Sequence, residues 1–195
     1  MRQGSTVVTP PDGHPLALGD AKLQLRIDAG DTDQDAQINR LIGAAHRHVE
    51  NALGYPILRQ TRETHYRGFP CGTLKLDGGA STEVTAITYF DDAGAEQTLA
   101  SADYILDAVA RRPEIWRPAN VSWPSVPRRP GAVKVTWIAG WASADDVPED
   151  MLHAMRLLIG HWDQNREGVI VGTISSEVEA GIEALLRPFR LPALA

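Results

Sequence analysis

Cysteine is nearly absent from this 195-residue chain, where Cys71 stands alone. One thiol excludes an internal disulfide and a cysteine-built zinc site, and it removes any need for an oxidising compartment. No apolar stretch reaches membrane-spanning length. The opening Met1-Arg2-Gln3-Gly4-Ser5-Thr6 lacks the apolar core of a signal peptide, so synthesis in the cytosol with no membrane role is expected. Basic charge is also in short supply: 19 Lys and Arg face 25 Asp and Glu, a net charge of -6. A dedicated nucleic-acid binder normally carries the opposite footprint, although the balance leaves contact with DNA open. Nucleophile elbow, Walker loop, dinucleotide fingerprint and HExxH are all missing. Nothing in the sequence therefore favours an enzyme over a structural protein, and no catalytic residue or cofactor is expected.

Six histidines are present, but their spacing does not build a metal site. His46 and His48, two apart on a helix, point about 200 degrees apart around its axis. His153 and His161 are too far along one helix to share an ion. All are expected to be solvated or at the edge of a core.

The remaining pattern is α+β. Residues 1 to 15, rich in proline, glycine and polar groups, read as an N-terminal arm with Val7 and Val8 as a short strand. A short helix is expected from Leu18 to Ile27, with Leu18, Ala21, Leu23, Leu25 and Ile27 apolar. A stronger one opens at Thr32 and Asp33, with Ile38, Leu41, Ile42, Ala45, Val49, Ala52 and Leu53 as its stripe and Gly54 and Pro56 ending it. Between 57 and 139 the apolar period becomes two. Strands are expected near Ile57–Tyr66, Thr73–Leu76, Val84–Phe90, Gln97–Leu99, Tyr104–Asp107 and Val133–Ala139. Asp91-Asp92-Ala93-Gly94 and Asp77-Gly78-Gly79 are read as hairpin turns. Trp137 and Trp141 are expected mainly in the core. Pro148 then starts a helix that buries Met151, Leu152, Met155, Leu158, Ile159 and Trp162. The expected body, 16 to 167, is a small helical bundle with an inserted antiparallel β-rich region.

Two segments suggest contact with other chains. The last 28 residues, 168 to 195, form an extended arm and helix. An apolar run, Val169-Ile170-Val171-Gly172-Thr173-Ile174, is held between Gly168 and a helix whose apolar positions are Val178, Ile182, Leu185, Leu186 and Phe189. Ser176 and Glu179 have capping-box spacing. Such a helix either folds back on its own core or covers a foreign surface. The second segment, 111 to 129, carries Arg111, Arg112, Arg117, Arg128 and Arg129 against the single acid Glu114. Trp116, Trp123 and five nearby prolines, Pro130 just beyond the segment among them, are interleaved, so the stretch is either a stiff connection or a binding loop. The acids Asp28, Asp31, Asp33 and Asp35 have the opposite sign. In a head-to-tail ring the two surfaces would be complementary.

Leu18-Gly19-Asp20-Ala21-Lys22-Leu23-Gln24-Leu25-Arg26, Val147-Pro148, His161-Trp162-Asp163-Gln164-Asn165-Arg166-Glu167, Val171-Gly172-Thr173-Ile174 and Leu186-Arg187-Pro188-Phe189-Arg190 occur in an order that resembles the head-tail connector (adaptor) proteins of long-tailed phages, prophages and gene transfer agents. The resemblance runs from about Leu16 to Arg190. It implies a non-catalytic virion protein made in the host bacterial cytoplasm and placed in the neck. Copies would form a ring, typically a dodecamer, below the portal, with packaged double-stranded DNA passing through without sequence-specific binding. The partners implied are the portal, neighbouring adaptor subunits, and a stopper or tail terminator. On this reading Val169 to Ile174, Ile182, Leu185, Leu186, Phe189 and Arg190 bind the portal. The arginine and tryptophan loop meets a neighbouring subunit or the tail side. The rival expectations are a tail-completion or stopper protein of the same conduit, and a small cytosolic hydrolase with a dispersed site.

Overall fold

Strict alternation along Val133-Lys134-Val135-Thr136-Trp137-Ile138-Ala139 dictates a strand with one dry face, and all four odd-numbered residues are buried. The computed structural model describes residues 2–109, 112–165 and 176–191. Within them lie β1 (Arg2–Thr9), α1 (Leu18–Leu25), α2 (Asp35–Leu53), β2 (Gln60–Tyr66), β3 (Leu74–Lys75), β4 (Glu83–Phe90), β5 (Glu96–Thr98), β6 (Ile105–Asp107), β7 (Glu114–Trp116), β8 (Val133–Ala139), α3 (Glu149–Gln164) and α4 (Ser176–Leu186). They fall into two units.

The β unit comprises residues 1–11 and 59–142. Five antiparallel strands run in the order β1-β2-β8-β4-β5, and three more in the order β3-β7-β6. Both sheets feed one apolar cluster, in which Leu74 and Ile115 from the small sheet meet Tyr66, Ile87, Val133, Val135 and Trp137 from the large one. Burying an indole requires a partner for its N–H. Trp137 Nε1 supplies it by donating to Thr64 Oγ1 at 2.9 Å. The Tyr66 hydroxyl donates to the Lys75 carbonyl at 2.6 Å and fastens β2 to β3.

The expected arm at 1 to 15 is different in the structure: residues 2–9 are the edge strand β1, paired along β2 with two register shifts. Its polar Gly4-Ser5-Thr6 carries no alternation signal because an edge strand is held largely by its backbone ladder. The turn at Asp91 is a hairpin, with Gly94 at φ 83° and Asp91 Oδ1 accepting from the backbone N–H of Ala93 and Ala95. The Gln97 amide, followed by those backbone donors, holds the Asp91 carboxyl below its usual pKa. Asp77-Gly78-Gly79 is not a hairpin. It joins β3 to β4, which lie in different sheets.

The helical unit comprises residues 12–58 and 143–195. On α2, Ile38, Ile42, Ala45, Val49 and Leu53 recur at helical spacing and are buried, and Gly54 ends the helix in the left-handed region. On α3 the buried residues are Met151, Ala154, Met155, Leu158 and Ile159. These two faces pack together, with α1 against both. The expectation for α1 needs correction. Leu23 is 78% exposed while Lys22 is buried, because the Lys22 ammonium finds three acceptors inside: the carbonyls of Ala29 at 3.3 Å and Asp31 at 2.8 Å, and Asp35 Oδ1 at 2.6 Å.

Candidate assembly surfaces

Helix α4 packs on α2 and α3. Ile182 and Leu186, four residues apart, share its inner face and are buried. Each contributes about 1.5 to 3 kcal/mol of transfer free energy to the chain's own fold. Packing on the parent bundle thus covers these two side chains, which the sequence reading places at the portal. Leu185 and Phe189 are half-buried. The Tyr55 hydroxyl, from just beyond α2, donates to the Phe189 carbonyl at 2.9 Å. Arg190 Nη1 pairs with Glu183 Oε1 at 2.7 Å on the exposed side. The run Val169, Ile170, Val171, Gly172, Thr173 and Ile174 lies outside the described residues.

The arginine-rich segment divides. Arg111 lies outside the described residues, Arg112 is half-buried, and Arg117, Arg128 and Arg129 are exposed. Arg129 sets its guanidinium 4.1 Å over the Phe90 ring, a cation–π contact within the β unit. Trp123 is engaged there too, stacked on Phe69 with centroids 4.9 Å apart and planes 6° apart. Its indole N–H donates to the Gly72 carbonyl at 3.3 Å. Trp116 is instead turned outward and is 49% exposed.

That orientation follows from β7, a strand the sequence pattern did not disclose because Pro113 and Pro118 bracket only Glu114-Ile115-Trp116-Arg117. Ile115 faces the core opposite Leu74 and Leu106. Trp116, one residue on, must face away, and it stands opposite Ile105, itself 56% exposed. Val109, in the β6–β7 connection, is 97% exposed. The three-stranded sheet thereby shows solvent an apolar pair with Arg117 next in the chain.

In the helical unit, Asp28 Oδ1 accepts from Gly30 N–H at 2.8 Å and Asp31 Oδ1 from Asp33 N–H at 3.0 Å. Lys22 draws the carbonyls of Ala29 and Asp31 inward, while Asp28, Asp31 and Asp33 remain exposed. A fixed acidic loop thus follows α1, while Leu23 on the helix shares a surface hollow with Asp20, Gln24, Arg26 and Arg156.

His14 and His46 form a pair no spacing rule would find, with Nδ1 atoms 3.1 Å apart and rings edge to face. One Nδ1 must carry a hydrogen and the other a lone pair. Burial, then the charges of His46 and Arg47, lowers the His14 pKa from its ordinary value. Among the described residues no group of three or more His, Cys, Asp or Glu is placed to hold a metal ion, and no helix is long and apolar enough to cross a membrane.

The family model for head completion proteins matches residues 25–175. Comparison with curated proteins finds no match. Among solved structures, a chain in the neck of an empty gene transfer agent particle, computed with C6 symmetry, superposes with a TM-score of 0.80 at 23% identity, covering 99% of this chain and 98% of that one. A chain in the virion of a native gene transfer agent particle gives the same values. One from the neck of the native particle, computed with C12 symmetry, gives a TM-score of 0.72 at 24% identity over the same shares. The shared fold thus spans both units.

Proposed function

The chain belongs to the head completion protein family, and from that premise we propose that it is a structural component of a virion neck, a ring-forming adaptor between portal and tail. The observation that carries this reading is the likeness to neck chains over 99% of this chain, β unit and helical unit together, in assemblies of six-fold and twelve-fold symmetry. In the proposed ring the bore lets double-stranded DNA pass. A net charge of -6 suits a conduit that must not hold its cargo.

The portal-facing element in this reading is the segment from Gly168 to Arg190. Since Ile182 and Leu186 already pack on the bundle, the portal would be met by Val169 to Ile174, with Leu185, Phe189 and Arg190 beside it. Arg112, Arg117, Arg128 and Trp116 would face a neighbouring subunit or the tail side, with Arg111 in the same stretch. Trp123 and Arg129 contribute by stiffening the loop. Capture of the full chain by isolated portal protein tests the proposal. A direct, saturable complex is expected, and a chain that binds only completed tails would show a tail-side station in its place.

A further inference from the structure

Inside α2 the chain carries Gly43, at a helix position where alanine would be the more stable choice. A Cβ there would stand 3.3 Å from both Cε1 and Nε2 of His14, closer than an ordinary contact, so the missing side chain is what lets the His14 ring lie against the helix. His46, on the same face of α2, sets its Nδ1 3.1 Å from the Nδ1 of His14 and is 4% exposed. Behind it, Glu50 Oε1 lies 3.4 Å from the other ring nitrogen, Nε2. That carboxylate is itself fixed, since the same oxygen accepts from the Ile57 N–H at 2.8 Å. A carboxylate at Nε2 favours the tautomer with its hydrogen there and turns the His46 Nδ1 lone pair towards His14. Two facing ring nitrogens need an electrophile between them, either a hydrogen on His14 or a bound cation.

We propose that His14 Nδ1 and His46 Nδ1 are the two protein ligands of an open site for a divalent transition ion of the zinc class, with water completing its coordination. The spacing fits. Two nitrogens at about 2.0–2.1 Å from one tetrahedral ion stand about 3.3–3.4 Å apart, a few tenths beyond the separation of this pair, and His14 is exposed, so its ring is free to turn. Imidazole nitrogen suits zinc, nickel or copper, whereas magnesium and calcium take oxygen. A metal-bound imidazole commonly donates its second N–H to a carboxylate, and Glu50 occupies that place behind His46. The Arg47 guanidinium, whose Nη1 would stand 3.6 Å from the same Cβ at Gly43, opposes the charge of an ion, and the Glu50 carboxylate offsets it. Among the described residues no third His, Cys, Asp or Glu joins the pair, so the ion is exchangeable and held with modest affinity. Its effect is to staple the stretch before α1 onto α2. The site does not depend on the adaptor reading and stands or falls on the isolated chain.

Calorimetric titration of zinc at pH 7.5 into the untagged full-length chain tests the site, with Cys71→Ser introduced so that the exposed thiol takes no metal. One ion per chain is expected. His14→Ala removes an exposed ligand and leaves the core alone, and it is expected to weaken binding by at least about 10-fold, no less than the loss of an outer partner of a metal-bound imidazole does. Zinc should raise the melting temperature of the parent and not that of His14→Ala, because an ion that binds only the folded state stabilises it. Nitrogen-15 NMR of the parent needs no variant to fold: saturating zinc is expected to move the Nδ1 signals of His14 and His46 and to leave those of His48, His65, His153 and His161 in place. Absence of binding overturns the proposal, as does binding that His14→Ala leaves unchanged, or zinc-dependent shifts at the other four histidines in place of this pair. Each of these results would make the His14–His46 contact an ordinary hydrogen bond.

Discussion

Lys22 shows how much a single side chain decides. Its side chain, 6% exposed, ends in an ammonium held by two carbonyls and the Asp35 carboxylate, so a residue type that is rarely buried closes the corner between α1 and α2. Lys22→Met keeps the stem and deletes the charge, leaving two enclosed carbonyls and a half-buried carboxylate without their donor. A loss of about 1–3 kcal/mol is expected, read as a lower urea midpoint at unchanged slope. The acidic loop should also become accessible to proteases, since nothing else draws its carbonyls inward. His14 makes a second prediction at this scale. Its folded pKa lies below its unfolded value near 6.5, so the native state binds fewer protons there than the unfolded chain. Stability is then complete above about pH 6.5 and declines as pH falls from that point through the lowered folded value. Urea midpoints measured from pH 7.5 to 5 should fall on the acid side, and His14→Gln should flatten that part of the slope. An equal slope in both proteins would show that the pair plays no part.

Among the elements, α4 carries the sharpest consequence. If its inner face is spent on α2 and α3, Leu186→Ala opens a cavity in a bundle with a fully buried site and costs about 2–5 kcal/mol. Solvent-side Glu179→Ala should change the midpoint little. Amide exchange on the free chain then gives protection across Ser176–Leu186 that collapses in the Leu186→Ala variant; equal fast exchange in both would mean that the helix is detached. Periodicity found α2, α3 and α4, because their apolar residues are core on one face, and it found β8, whose strict alternation is that of a strand covered on one side, and β4, where Ile87 alone is fully covered. It fell short where side chains do not determine the structure. β1, expected only as a short strand at Val7 and Val8, runs over Arg2–Thr9 through ladder hydrogen bonds to β2; β7, three of the four residues between Pro113 and Pro118, was missed; and α1, a helix as expected, turns Lys22 inward and Leu23 outward. The Asp77-Gly78-Gly79 stretch was legible as a break between strands, but the structure has irregular chain there, not a turn, and no local signal says whether the next strand stays in the same sheet. The candidate surfaces followed the same logic. The arginine-rich stretch was visible in composition, whereas the exposure of Trp116 and the sequestering of Trp123 depend on pairing partners far away in sequence.

For the whole molecule, the packing of α4 changes how the portal contact must be tested. Removing residues 168 to 195 would delete the run proposed to meet the portal and also strip Ile182 and Leu186 from the chain's own core, so lost portal capture after that truncation would have two causes. Point changes separate them. Ile170→Asp with Ile174→Asp places two charges in the apolar run while leaving α4 intact. If that run meets the portal, capture by isolated portal protein falls by at least about 100-fold, since seating two uncompensated carboxylates in an apolar contact costs several kcal/mol, and the melting temperature of the free chain stays unchanged. Leu186→Ala should behave in the opposite way, lowering the melting temperature while the surviving folded fraction still binds. A third variant, Arg117→Glu with Arg128→Glu, reverses charge on the β unit, where a neighbouring protein is proposed. Ring or tail contacts should weaken while retention of packaged DNA does not change, because residues facing protein do not see the bore. Reversed effects, with DNA leaking from intact rings, would assign those arginines to the lumen. The three variants thus distinguish a chain that holds itself together with its C-terminal helix and grips the portal with the run before it from a chain in which one segment does both.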